Sequence, residues 1–205
     1  SKDLRFSLGI RQAAAGQVAV LQGRAGNSFL TASDARLDSG FEQRPGTSFA
    51  MRQQVAGIGL TGSAEIGSAQ LYERASDEFV RGGTRGYRYS TLGLSADRNV
   101  GPVKLAVGVN WMQERDTVLG GRFAKAFGQD GARSLFVDSG GEVVLGTNWS
   151  LGASWRQGWT YANSSATVTG QSLLKSNAFS FFVSKANAFV GGDRLALRIS
   201  KPLRV

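Results

Sequence analysis

The stretch that decides the fold class is Trp149-Ser150-Leu151-Gly152-Ala153-Ser154-Trp155-Arg156-Gln157-Gly158-Trp159-Thr160-Tyr161. Trp149, Leu151, Ala153, Trp155, Gln157, Trp159 and Tyr161 fall on one face. Ser150, Gly152, Ser154, Arg156, Gly158 and Thr160 fall on the other. Successive side chains of an extended chain point to opposite faces, so a period of two marks a strand, here with one bulky face and one small or polar face.

The same alternation recurs outward from this segment. Val103, Leu105, Val107, Val109 and Trp111 alternate with Lys104, Ala106, Gly108 and Asn110. Leu195, Leu197 and Ile199 alternate with Ala196, Arg198 and Ser200, and Leu4, Phe6, Leu8 and Ile10 with Arg5, Ser7, Gly9 and Arg11. In a further run, Asn177, Phe179, Phe181 and Val183 oppose Ala178, Ser180, Phe182 and Ser184, with Phe182 breaking the polarity of the small face. Turn signals separate the runs: Asn99-Val100-Gly101-Pro102, Gly146-Thr147-Asn148, and residues 188–192. Longer polar stretches fall between, at 74–86, 114–132 and 162–171. At about 20 residues per strand and connection, the reading is all-β, antiparallel and up-and-down, with roughly eight to ten strands in one domain spanning residues 1–205. Two stretches depart from it: residues 12–21 are alanine-rich and suit a helix, and residues 120–127 suit a short helix inside a long loop. No composition shift marks a second domain, and no solenoid-length repeat is present.

Composition removes whole classes of chemistry. The 205 residues include 28 Gly, 3 Pro, no Cys and no His. Without Cys there are no disulfides, thiolate metal sites or cysteine nucleophiles. Without His the chain cannot by itself build a Ser-His-Asp triad or an imidazole metal site. No cofactor or metal site is expected, and the reading is not an enzyme; only carboxylate chemistry survives. Asp138 and Glu142 share a strand face about 13 Å apart along it, too far for a glycosidase pair without a second strand. Gly46-Thr47-Ser48-Phe49-Ala50 spells the core of a subtilisin serine motif. Met51 follows where that motif has Pro, and no His is present to take a proton, so Ser48 reads as part of a turn leading into a strand. The paired glycines at 82–83, 120–121, 140–141 and 191–192 lack the strand–helix context of a phosphate loop.

The charge is +9, from 24 Lys plus Arg against 15 Asp plus Glu. The cations are scattered, not clustered, so nucleic acid is not the expected partner. No apolar run of 18 residues exists, and the first residues, Ser1-Lys2-Asp3-Leu4-Arg5-Phe6, contain no signal-peptide core.

A soluble sandwich turns its apolar face inward; a transmembrane β-barrel turns it to lipid and lines its lumen with small and polar groups. Periodicity alone does not separate the two. Three features favour the membrane: aromatics near both ends of the 149–161 run, a run long enough to cross a bilayer when tilted, and an opposite face of Gly, Ser, Ala and Thr with scattered cations. On that reading Trp149, Leu151, Trp155, Trp159 and Tyr161 face lipid, while Lys104, Asp138, Glu142, Arg156 and Arg198 face the lumen, where the cations can pair with Asp138 or Glu142. It follows that Trp155→Arg prevents membrane folding and Arg156→Gln is mild.

Val118-Leu119-Gly120-Gly121-Arg122-Phe123 and Gly131-Ala132-Arg133-Ser134 resemble stretches of the C-terminal β-domains of subtilisin-like autotransporter serine proteases of α-proteobacteria. Lys185-Ala186-Asn187-Ala188, the run from Gly192 to Arg198, and Pro202-Leu203-Arg204-Val205 are similar to the same domains. The resemblance spans about residues 88–205. It implies a translocator of the Gram-negative outer membrane, a barrel of about twelve strands, that anchors and exports an upstream protease passenger. Its implied partners are outer-membrane lipid and lipopolysaccharide, its own passenger, and the outer-membrane insertion machinery. Such barrels end on an aromatic residue; with Pro202 unable to donate a ladder hydrogen bond and Val205 last, the final strands are expected beyond this segment. The alternative is a soluble all-β interaction or structural domain attached to a secreted protease.

Overall fold

The computed structural model describes residues 3–23, 43–73, 83–120, 131–146, 148–162 and 172–204. They form nine strands and one short helix: β1 Leu4–Ile10, α1 Ala14–Leu21, β2 Gln43–Val55, β3 Ile58–Glu73, β4 Gly83–Val100, β5 Val103–Glu114, β6 Ala132–Leu145, β7 Trp149–Ala162, β8 Ser172–Ala186 and β9 Arg194–Arg204. The strands make a single sheet in sequence order, each antiparallel to its neighbours. The all-β, up-and-down reading therefore holds. The alanine-rich stretch supplies the helix; the one expected over residues 120–127 lies, beyond Gly120, outside the described residues.

Tight turns set the register. Gly101, at φ +56°, opens the two-residue turn with Pro102 between β4 and β5; that left-handed conformation is one an L side chain resists. Val100 then faces Val103, and every later pair follows. At the other end of the sheet, β9 skips a position: Lys201 pairs with Phe179 and Arg204 with Asn177, so the register shifts around Pro202 and Leu203. The strand thus carries its proline at an edge and at a bulge, where no ladder N–H is required of it. Among the described residues no ladder joins β1 to β9, and the sheet is not closed by hydrogen bonds. With nine alternating strands, β1 and β9 run in the same direction.

The two faces differ sharply. On one, large apolar side chains stand exposed: Phe6 at 74%, Leu94 at 66%, Leu197 at 67%. On the other, Ser48, Thr61, Glu65, Asp97, Ser134, Asp138, Arg156 and Thr160 are buried. Among the described residues the eight of α1 are the only helix over that second face, and the sheet curls toward it. Met112 of β5, Phe136 of β6, Ala178 of β8 and Leu203 of β9 form one packed cluster there, which a flat sheet with strands about 4.8 Å apart would hold apart.

Glycines on the curled inner face sit directly across the ladder from its larger side chains. Gly67 faces Tyr89, Gly59 faces Asp97, Gly158 faces Phe136, and Gly152 faces Phe182. A Cβ on Gly152 would lie 2.2 Å from the Phe182 ring, and one on Gly67 2.6 Å from the Tyr89 hydroxyl. The missing side chain provides the space into which the neighbouring strand's side chain folds. Among the described residues no helix is long and apolar enough to cross a membrane.

Candidate functional site

The functional candidate is the inner face with its helix. Its centre is an ion pair that the register of β6 and β7 creates. Asp138 and Arg156 are direct partners across that ladder. Arg156 Nε donates to Asp138 Oδ1 at 2.6 Å and its Nη2 to Oδ2 at 3.0 Å. Asn110, from β5, donates its amide to the same Oδ2. The guanidinium lies 5.0 Å from the centre of the Phe136 ring. Both charged side chains are buried, and a buried pair is tolerated only when its geometry and remaining hydrogen bonds are good. Here the bidentate fork and the amide provide both.

A second pair spans three strands. Arg52 of β2 donates to Asp97 of β4 at 3.1 and 2.6 Å, passing over Gly59 of β3. A Cβ on Gly59 would lie 2.1 Å from the guanidinium. Hydroxyl pairs continue the polar wall between β6, β7 and β8: Ser134–Thr160 at 2.8 Å, with Ser150–Ser184 and Ser154–Ser180 each at 2.7 Å.

The helix rests on β1, β2 and β3 within this concavity. Its N-terminal flank, Ala13, offers no side-chain cap. The sheet supplies one instead: Glu65 Oε2 of β3 accepts the Ala14 N–H at 2.6 Å. A carboxylate at this end also meets the positive end of the helix dipole. The other oxygen of Glu65 accepts from the Tyr89 hydroxyl. Gln17 enters the space above Gly9, where a Cβ would lie 1.9 Å from its amide nitrogen. Turned to match donors with acceptors, that amide takes the Gly9 N–H at 2.8 Å and donates to the Ser7 carbonyl at 3.2 Å. At the far end Gln22 donates to Ser95 at 2.9 Å. Between the helix and β3–β7 lies a cavity of about 280 Å³, with Ala15, Gly16 and Ala19 on one side and Asn110, Met112 and Phe136 on the other.

Of the residues expected on the inner face, Asp138 and Arg156 are buried and paired with each other. Lys104 and Glu142 are half-buried and directly opposed between β5 and β6. Arg198 is half-buried with its guanidinium 5.4 Å from the Phe182 ring. On the other face Trp149, Trp155 and Tyr161 are exposed, while Leu151 and Trp159 are half-buried. Ser48 is buried and its hydroxyl donates to the Gln12 carbonyl at 2.6 Å.

Glu65, Tyr89, Arg52, Asp97 and Glu114 were not legible as site residues from local sequence. Glu114, at the end of β5, accepts from the Thr117 hydroxyl and from the N–H groups of Leu119 and Gly120, each at 2.7 Å. For Tyr89 and Asp97 the available signal was the glycine across from each, which requires the register; Glu65, Arg52 and Glu114 face no glycine. Chemically, the carboxylates at 65, 97, 114 and 138 are all engaged by cations, hydroxyls or N–H groups. They brace the inner face. Among the described residues no group of three or more His, Cys, Asp and Glu is placed to hold a metal ion. No protein-family model, curated protein or solved structure matches the chain.

Proposed function

We propose that this chain is the β-domain of an outer-membrane autotransporter, embedded in lipid by its outer face, which anchors and exports an upstream passenger. The observation that carries the reading is the inversion of the two faces. Exposed apolar side chains run along every strand from Phe6 of β1 to Ile199 of β9, while two bidentate ion pairs and the serine–threonine ladders are buried. A mainly apolar surface on this scale, broken only at positions such as Gln53, Arg98 and Lys175, favours association with lipid or protein over exposure to water. A lipid-facing barrel wall requires this partition of side chains.

Strand length agrees. β2 to β9 run from 11 residues in β9 to 18 in β4, and a tilted strand crosses a bilayer in about 9–11. Antiparallel ladders on both sides pair the backbone of β2 to β8 along most of its length, which a strand in hydrocarbon requires. The inner face of this domain already seats one segment of its own chain, α1, through polar contacts to Glu65, Ser95 and Gly9. That is the chemistry a lumen needs to hold a connecting segment without gripping it by hydrophobic burial. Lipid and lipopolysaccharide on the outer face, the passenger upstream and the insertion machinery are the partners that go with this role.

The test is partition followed by display. The chain should fold only in detergent micelles or bilayers and, fused behind a reporter passenger, should place that reporter on the surface of a Gram-negative cell. A monodisperse, folded protein in detergent-free buffer would overturn the membrane reading in favour of a soluble all-β domain. A folded, membrane-embedded protein that leaves the reporter in the periplasm would overturn the export role alone.

A further inference from the structure

The short connections of the sheet all lie at one end, and their tips are not alike. Between β2 and β3 the tip is Ala56 and Gly57, and between β4 and β5 it is Gly101 and Pro102. Between β8 and β9 it is seven residues, 187–193, and it presents Phe189 at 82% and Val190 at 68% exposure. This loop is a built structure. Asp193 Oδ2 accepts the N–H groups of Phe189 at 3.0 Å and Val190 at 3.1 Å, and Asn187 Oδ1 accepts that of Gly192 at 2.7 Å. The Asn187 N–H donates to the Asp193 carbonyl at 2.8 Å. Every one of these contacts uses backbone or the side chains of Asn187 and Asp193. None uses the two apolar side chains, which the loop holds out at its apex.

The apolar outer face does not stop short of this end. Val55, Val100, Leu145, Trp149 and Leu195, the strand residues next to the turns, are all exposed. Beside the tip, Lys185 of β8 lies 5.4 Å from the Trp149 ring, a pairing of aromatic and ammonium that suits a headgroup boundary. Exposed apolar side chains therefore reach the base of the tip, with Gln53 and Arg98 exposed among them on the same face. We propose that the 187–193 loop is a lipid-binding element: Phe189 and Val190 enter the boundary between headgroups and acyl chains of the phospholipid leaflet at the short-turn end. A preorganised apex carries two apolar side chains into the interface with little further loss of backbone freedom. The inference rests on the reading that the outer face meets lipid.

The chain contains no Cys, so single labels report cleanly. Three full-length variants, Phe189→Cys, Gly57→Cys and Val107→Cys, are labelled with an environment-sensitive fluorophore and reconstituted in phospholipid vesicles. Quenching is then measured with aqueous iodide and with doxyl-labelled lipid. The label at 189 should be quenched by lipid to within twofold of the label at 107, and at least threefold less by iodide than the label at 57. Quenching at 189 that matches 57, with 107 still lipid-quenched, overturns the tip proposal and leaves the membrane reading standing. A label at 189 shielded from both quenchers also overturns it, in favour of a protein contact. Iodide quenching at 107 equal to that at 57 overturns the membrane reading itself.

Discussion

Replacing Asp138 by Ala removes the carboxylate that holds the buried Arg156. The two side chains are each 7% exposed and are joined by two hydrogen bonds, with Asn110 also on Asp138 Oδ2. Removing one partner leaves an uncompensated guanidinium in a low-dielectric interior, a loss of about 3–5 kcal/mol. The Phe136 ring already lies 5.0 Å from the guanidinium in the intact pair, so it offsets none of that loss. The expected loss for Asp138→Ala is therefore about 3–5 kcal/mol. Arg156→Leu is expected to cost about 3–5 kcal/mol, since only the Asn110 amide remains for the carboxylate. The bidentate contact thus makes Arg156→Gln costly as well, where the strand pattern alone had suggested a mild effect. The double variant Asp138→Ala with Arg156→Leu has no stranded charge, and its loss should fall below about 2 kcal/mol. Equilibrium urea unfolding of the micelle-folded protein, compared at matched m-values, measures all four. Single variants that each lose less than about 1 kcal/mol, with an additive double, would refute the reasoning, because that is the behaviour of a pair already solvated by water.

Gly152→Val should lose about 1–3 kcal/mol by driving Phe182 from the space it occupies, whereas Gly62→Ala, which meets nothing within 4 Å, should be near neutral in the same unfolding assay. Trp155→Arg, on the outer face at 44% exposure, should lose about 2–4 kcal/mol if it lies near the bilayer midplane and lower the folded fraction in vesicles; an unchanged yield would contradict a lipid-facing position. Glu65→Ala removes the acceptor of both the Ala14 N–H and the Tyr89 hydroxyl. Limited proteolysis should then cut residues 12–22 faster by at least tenfold while the sheet's far-ultraviolet signal is retained, and unchanged cleavage would show that the carboxylate does not hold the helix.

Period-two alternation was enough to find β1, β5, β7, β8 and β9, because each has one apolar face and one small or polar face along much of its length; β2 and β3, with Gln53, Gly62 and Ser68 on the outer side, were not among those runs. The Asp138–Arg156 pair was also within reach: with a turn centred on 147, Leu145 faces Trp149 and the same register brings 138 opposite 156. Arg52 and Asp97 were not, since they sit on strands separated by β3 and meet only because the sheet curls over Gly59. Phe182 reads from sequence as a lapse in the small face, and in the structure Tyr89 and Phe136 are large side chains on the same inner face. Each is explained by the glycine across from it, a relation that becomes visible only when two registers are known. The seat of α1 was hidden for a different reason. Its residues are mostly Ala, Gly and Val on all sides, so the sequence marks no strongly apolar stripe; Glu65, Gly9 and Ser95, far along the chain, choose its position.

Whether the outer face meets hydrocarbon can be measured along β5, where the alternation is cleanest. Nitroxide labels placed one at a time from 103 to 113 in the bilayer-reconstituted protein report accessibility to oxygen, which concentrates in lipid, and to a nickel chelate, which stays in water. Positions 105, 107, 109 and 111 should be oxygen-accessible and nickel-protected, with 104, 106, 108 and 110 out of phase and low in oxygen accessibility. The opposite phase, or nickel access at the odd positions equal to that in solution, would contradict the proposed orientation of the domain.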